Sequence, residues 1–169
     1  VAAQSDALLH VVDASGSVDK DGKISDPGTG DPTADFADVE LELVLWYTKL
    51  FTQNLPKISK LSKTPGYGVP TAVEEVMRGI GVRKEHVVMA MNEAALADKQ
   101  FDSWNEKEVQ SFCWSLREFS KPTLVIANKM DLPFAAENFR KLREKYKGLI
   151  VVPTSGEAEL TLRRAEAKK

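Results

Sequence analysis

The last third of the chain alternates short apolar runs with helical patterns, and few folds accommodate that order. "TLVIA" at residues 123–127 and "LIVVP" at 149–153 are continuous apolar segments of strand length. A helical pattern over about 134–146 lies between them, and "TSGEAELTLRRAEAKK" follows as a turn and a further helix. Strand, helix, strand, helix points to an α/β fold with a parallel sheet, because parallel neighbours need a crossover of that length. A third strand is expected at residues 8–12, "LLHVV", whose unbroken apolar run suits burial on both faces.

The stretch between the first and second strands has a different character. Residues 13–33 are rich in Asp, Gly, Ser and Pro and read as a long solvated loop. Asp31-Pro32 reads as an N-cap followed by proline at the first helical position, opening a helix to about Asn54. Prolines and glycines break residues 56–70. Thr71-x-x-Glu74 and Ser103-x-x-Glu106 read as capping boxes. Gly79 and Gly81 should end the helix behind the first box, and another helix is expected over 83–97. Behind the second box, Val109, Phe112, Cys113, Leu116 and Phe119 recur at helical spacing until Lys121-Pro122. Gly148 reads as the C-cap of the helix before the last strand.

Composition narrows the function classes. With 43 % apolar and 28 % charged residues and a net charge of −2, the chain has an ordinary soluble composition and no broad electrostatic footprint for nucleic acid. The single cysteine, Cys113, cannot form an internal disulfide, which favours a reducing compartment. No apolar run approaches a membrane span, and the start has no signal-peptide pattern.

Chemistry is concentrated where the strands end. Ligands of open parallel sheets sit beyond the carboxyl ends of the strands. The second strand ends in "ANKMD", which places Asn128, Lys129 and Asp131 there. Guanine presents N1–H and a 2-amino group side by side. One carboxylate, that of Asp131, can accept from both, whereas adenine offers no such pair. Asn128 can tie neighbouring loops together and reach the purine N7, and the stem of Lys129 can cover a face of the base. The third strand ends in Thr154-Ser155-Gly156. There Ser155 could brace Asp131 and the Gly156 amide could donate to guanine O6. An ordinary turn and a helix N-cap would use the same residue types, so the reading rests on two motifs on successive strands.

The loop after the first strand offers further matches, two of which fail on spacing or residue type, while the third, Asp-x-x-Gly, stays open at this point. "GSVDKDGKI" spaces its glycines six apart where a phosphate loop needs five, and Ile24 follows Lys23 in place of Ser or Thr. "SVDKDGKISDPG" puts Gly28 where a calcium loop needs a bidentate Glu. "DASG" at 13–16 has the Asp-x-x-Gly form that holds magnesium in GTPases, but precedes Asn128 by a very large stretch. Cys113 sits on an apolar helix face, His10 in a strand expected to be buried, and His86 at a helix start without visible metal partners. Trp46, Trp104 and Trp114 read as packing. Lys57, Lys60 and Lys63 form a small basic cluster, either a solvated loop or a contact for RNA phosphates.

Taken together, "LLHVVDASGSVDKDG", "DPGTGDP", "TLVIANKMDLP" and "VVPTSGEAELTLRRA" resemble the archaeal-type branch of the Obg-related YchF GTPases, across the whole chain. The resemblance implies a Ras-like P-loop GTPase sheet, three strands of it visible, with a large helical insertion at 33–119 between G-domain parts at 1–32 and 120–169. It implies GTP or GDP as ligand, read by Asn128, Lys129, Asp131, Ser155 and Gly156, and Mg2+ in the complete parent. It places the phosphate loop before Val1 and a TGS-type domain beyond Lys169, so these residues alone are expected to be inactive in hydrolysis. No catalytic residue and no metal ligand is identified, and "DASG" becomes a strand end. A ribosomal or RNA partner, a role in translation and a cytoplasmic location are implied; the oligomeric state is not. The other reading is a non-catalytic module whose helices dock on a ribosome or protein.

Overall fold

The structure is a computed structural model that describes residues 4–19 and 22–167. It divides into two compact units, one of Leu9–Val39 with Thr123–Lys169, the other of Val1–Leu8 with Glu40–Pro122.

The first unit carries the sheet. Strands β1 (Leu8–Asp13), β2 (Thr123–Asn128) and β3 (Ile150–Pro153) lie in the order β1-β2-β3. β2 and β3 run parallel with Val125 opposite Val151 and Ala127 opposite Pro153, as the alternation of apolar runs requires. Helix α6 (Ala135–Lys145) makes the crossover, and α7 (Gly156–Glu166) follows β3. The core is small: Val12, Ala14, Phe36, Val125, Ala127, Ala135 and Leu142, with Phe139, Tyr146 and Val151 against it. Phe36, from the start of α1 (Pro32–Gln53), packs edge-on against Tyr146 at 4.7 Å and against the His10 ring at 5.0 Å. Strand β1 departs from its expected burial on both faces. Val12 is buried, but Leu9 and Val11 are 69 % and 58 % exposed, because among the described residues helices cover only the alternate positions.

Most of residues 22–31 are exposed, as expected of a solvated loop, but the start of the loop after β1 is not. Ala14, Ser15, Gly16 and Ser17 are all buried. Gly30 N donates to Gly16 O and Gly28 N to Ser15 O, each within 2.9 Å, and Ser25 N reaches Ser17 O. A Cβ on Gly16, which has φ +62°, would come within 2.4 Å of the Gly30 carbonyl oxygen. The segment folds on itself because its own backbone and short polar side chains satisfy one another. Val18 and Ile24 form an antiparallel bridge within it, and Asp19 accepts from the Lys23 amide at 2.9 Å.

The second unit is helical. Besides the rest of α1 it contains α2 (Leu55–Ser62), α3 (Gly68–Met77), α4 (Lys84–Glu93) and α5 (Glu106–Ser120). Tyr47, Phe51, Ile58, Val73, Val87, Phe112, Cys113 and Leu116 form its centre, where Phe51, Trp104 and Phe112 pack ring on ring. Helix α2 occupies residues expected to be broken: Pro56 stands in its first turn, where no amide is needed. Helix α3 begins at Gly68, so Thr71 and Glu74 lie inside it and form no cap. The second capping box is real but displaced. Asn105 and Glu108 make it, while Ser103 closes a preceding turn onto the Gln100 carbonyl. Helix α6 ends at Tyr146, whose amide reaches the Leu142 carbonyl, so Gly148 is not its cap. Arg117 and Glu40 form a buried bidentate pair at 2.7 and 2.6 Å. Cys113 is core, its thiol pushed up to about 12 by burial, and His86 accepts from the Arg83 amide through Nδ1 at the start of α4.

Candidate nucleotide-base site

The ladder between β2 and β3 continues past the strands and sets their two turns side by side. Thr154 N donates to Ala127 O at 2.8 Å, and Met130 N donates to Thr154 O at 3.0 Å. At the start of the first turn Lys129 adopts φ +63°, a left-handed conformation that costs a non-glycine residue about 1 kcal/mol or more. Leu132 N then returns to Lys129 O at 3.0 Å, closing the turn.

Each polar residue of the turn is held by a different neighbour. The Gly156 amide donates to Asn128 Oδ1 at 3.0 Å. Ser155 Oγ donates to Asp131 Oδ1 at 2.5 Å and accepts from the Ala158 amide at 3.2 Å, so one hydroxyl both braces the carboxylate and caps α7. Asp131 is exposed, and its other oxygen has no hydrogen-bond partner among the described residues. Lys129 Nζ donates to Asp13 Oδ2 and to Ser17 Oγ, both at 2.9 Å. Asn128, Lys129, Asp131, Ser155 and Gly156 thus come together. The Gly156 amide, offered in the sequence reading to guanine O6, is instead occupied by Asn128 and fastens the two turns.

The residues not anticipated are Asp13, Ser15 and Ser17. Asp13 ends β1, and Ala14 N donates to Asn128 O at 2.9 Å, which fixes that end beside the turn. Asp13 Oδ1 accepts from Ser15 N and Ser15 Oγ at 3.0 and 2.6 Å; Oδ2 accepts from Ser17 N and Ser17 Oγ at 3.1 and 2.8 Å, besides Lys129. Burial alone would raise this carboxyl, but the hydrogen bonds from Ser15, Lys129 and Ser17 hold it below the usual carboxylate range. The signal present in the sequence was Asp-x-Ser-x-Ser directly after a strand, a pattern in which one carboxylate gathers the hydroxyls and amides that follow it.

A cavity of about 700 Å³ lies nearby in the same unit, between the 28–33 segment and α6, lined by Gly28, Asp31, Phe134, Asn138 and Lys141 among others. None of the five turn residues lines it.

Comparison with known proteins agrees with this geometry. Residues 126–169, which hold both turns, match the family model described as Obg-like GTPase YGR210-like, G4 motif-containing domain. The chain is 32 % identical over 163 residues to the uncharacterized GTP-binding protein MJ1332 of Methanocaldococcus jannaschii, covering 96 % of this chain and 40 % of that protein. It is 26 % identical over 160 residues to the uncharacterized GTP-binding protein C428.15 of Schizosaccharomyces pombe, covering 95 % and 38 %. The crystal structure of a GTP binding protein from Pyrococcus horikoshii OT3 superposes with a TM-score of 0.84 at 33 % identity, covering 97 % of this chain and 47 % of that one. The chain therefore spans less than half the length of these relatives. The Obg-related resemblance drawn from the sequence is met at this level: residues 126–169 match an Obg-like, YGR210-like G4 motif-containing domain, in a chain similar over nearly all its length to proteins named as GTP-binding.

Proposed function

We propose that this chain forms the guanine-recognising part of an Obg-like, YchF-type GTP-binding protein. Asn128, Lys129, Asp131 and Ser155 address the base, and Gly156 joins the turns. One observation carries the reading: the Asp131 carboxylate is solvent-facing, steadied on one oxygen by Ser155, with its second oxygen open to a donor pair. The names of the relatives support a guanine nucleotide as the ligand. Titration of the chain with GDP and ADP tests it. Binding of GDP with no measurable ADP binding is expected; equal affinity for both, or none for GDP, would overturn it.

For the whole protein the proposal extends to GTP hydrolysis, with residues 33–119 as an insertion between G-domain parts at 1–32 and 120–169. No magnesium step is assigned to this chain. Asp13 uses both oxygens on its own loop and Lys129. A cytoplasmic, translation-associated role with a ribosomal or RNA partner completes the reading. The exposed Lys57 and Lys60 on α2 support it, whereas Lys63 is paired with Asp102 at 2.7 Å. Co-sedimentation with ribosomes, lost on replacing Lys57 and Lys60 by Glu, is the corresponding test. No described helix is long and apolar enough to cross a membrane.

A further inference from the structure

We propose that Asp13 is a positioning residue for the base site, acting on the nucleotide through Lys129 without touching it. The inference rests on the guanine reading above and assigns the loop after β1 a part in it.

The Lys129 backbone is left-handed at φ +63°, and its ammonium makes two hydrogen bonds, to Asp13 Oδ2 and Ser17 Oγ. The Lys129 side chain is 38 % exposed and that of Asp13 only 13 %, so the pair is anchored on the carboxylate side and open on the lysine side. A lysine loses most of its rotamer freedom when it is fixed. Here that loss is incurred before any ligand arrives, which is the physical content of preorganisation. With the charge directed inward to Asp13, the four methylenes remain as an apolar rail next to Asn128 and Asp131.

The anchor is itself rigid. Asp13 accepts from two amides and two hydroxyls besides the ammonium. Ser17 is buried, and its backbone carbonyl takes the Ser25 amide at 2.9 Å. Gly30 packs so closely on this loop that a Cβ there would lie 2.1 Å from the Val18 carbonyl oxygen. Movement of the loop is therefore opposed at several points, and the position of Lys129 Nζ follows from it.

The test is a double-mutant cycle on GDP affinity in the 169-residue chain, comparing wild type, Asp13→Asn, Lys129→Met and the double variant, with Asp131→Ala as control. Asp13→Asn should weaken GDP binding about tenfold, since it removes a charged hydrogen bond. In the Lys129→Met background the same change should do nothing further. Ser17→Ala, which deletes only a hydroxyl, should give a smaller loss with the same dependence on Lys129, and serves if Asp13→Asn fails to fold. Ligand-free ¹H–¹⁵N spectra should show slowly exchanging Lys129 ammonium protons in wild type and lose them in Asp13→Asn. An equal loss of affinity with and without the Lys129 side chain, or no loss while Asp131→Ala abolishes binding, would overturn the positioning role alone. No GDP binding by wild type would remove the guanine reading and this inference together.

Discussion

Ser155 Oγ stands 2.5 Å from Asp131 Oδ1 and 3.2 Å from the Ala158 amide, so the first turn of α7 and the β2 turn share one hydroxyl. Ser155→Ala should cost about 1 kcal/mol of stability through the lost cap. It should also weaken guanine-nucleotide binding several-fold by releasing the carboxylate. Urea unfolding and nucleotide titration on the same variant separate the two effects. Unchanged affinity would mean that the brace has no role in binding.

Asp131→Asn should exchange one base for another. In the proposed binding mode the carboxylate accepts from guanine N1–H and the 2-amino group; an amide accepts one hydrogen and donates another, which suits xanthine, where a carbonyl replaces the amino group. GDP affinity should fall at least a hundredfold and XDP affinity should rise, on the scale by which a mismatched polar group is rejected. Parallel titrations with the two nucleotides decide it, and loss of both without gain of either would count against the geometry.

Acid should remove the contribution of Asp13. A carboxyl held below its ordinary value favours the folded state wherever it is ionised. That contribution is complete above the ordinary carboxylate pKa and is lost as pH falls through the lower folded value. The difference in urea midpoint between wild type and Asp13→Asn should be constant from neutrality down to about pH 4 and should close below it. A difference that persists unchanged at lower pH would show that packing, not ionisation, is what Asp13 supplies.

Two glycines should respond in opposite ways to alanine. At Gly156 a new Cβ would meet Asn128 Oδ1 at 3.7 Å, an ordinary contact at the start of a helix. Gly156→Ala should therefore be neutral or stabilising by about 0.4–1 kcal/mol. At Gly16 the φ of +62° and the 2.4 Å approach to Gly30 O both oppose a side chain. Gly16→Ala should lose about 2–4 kcal/mol. Thermal melts of the pair test the claim that the loop after β1 is tightly built.

The three strands, and the parallel pairing of the last two, were legible because apolar runs of strand length separated by one helical pattern leave little choice of topology. The turns after β2 and β3 were legible because their chemistry is local: Asn128, Lys129 and Asp131 fall within four residues at the carboxyl end of a strand. What escaped was what depends on long-range partners or on exact caps. The Lys129 ammonium finds its acceptor in a residue 116 positions earlier, and nothing in the local sequence names Asp13 as that acceptor. The segment 13–33 was read as a solvated loop because it is polar; most of residues 22–31 are exposed, but Ala14–Ser17 are buried, where Asp13 and the loop backbone satisfy the polar groups of Ser15 and Ser17. Helix α2 was hidden by Pro56, which excludes a helix interior but not a first turn. The expected cap at Ser103 was displaced to Asn105 because both residues are good caps and only the turn before them selects between the two.

The inward ammonium of Lys129 has a consequence for how such a site would divide its labour. Paired with Asp13, that cation is neutralised and contributes no attraction for a phosphate tail. On the proposed reading the turns would identify a purine but have little means of counting what is esterified to its sugar. Guanosine, GMP, GDP and GTP should therefore bind this chain with affinities within a few-fold of each other, all far above those of their adenine counterparts. Sensitivity to the length of the tail would then have to be conferred by other surfaces, independently of the choice of base.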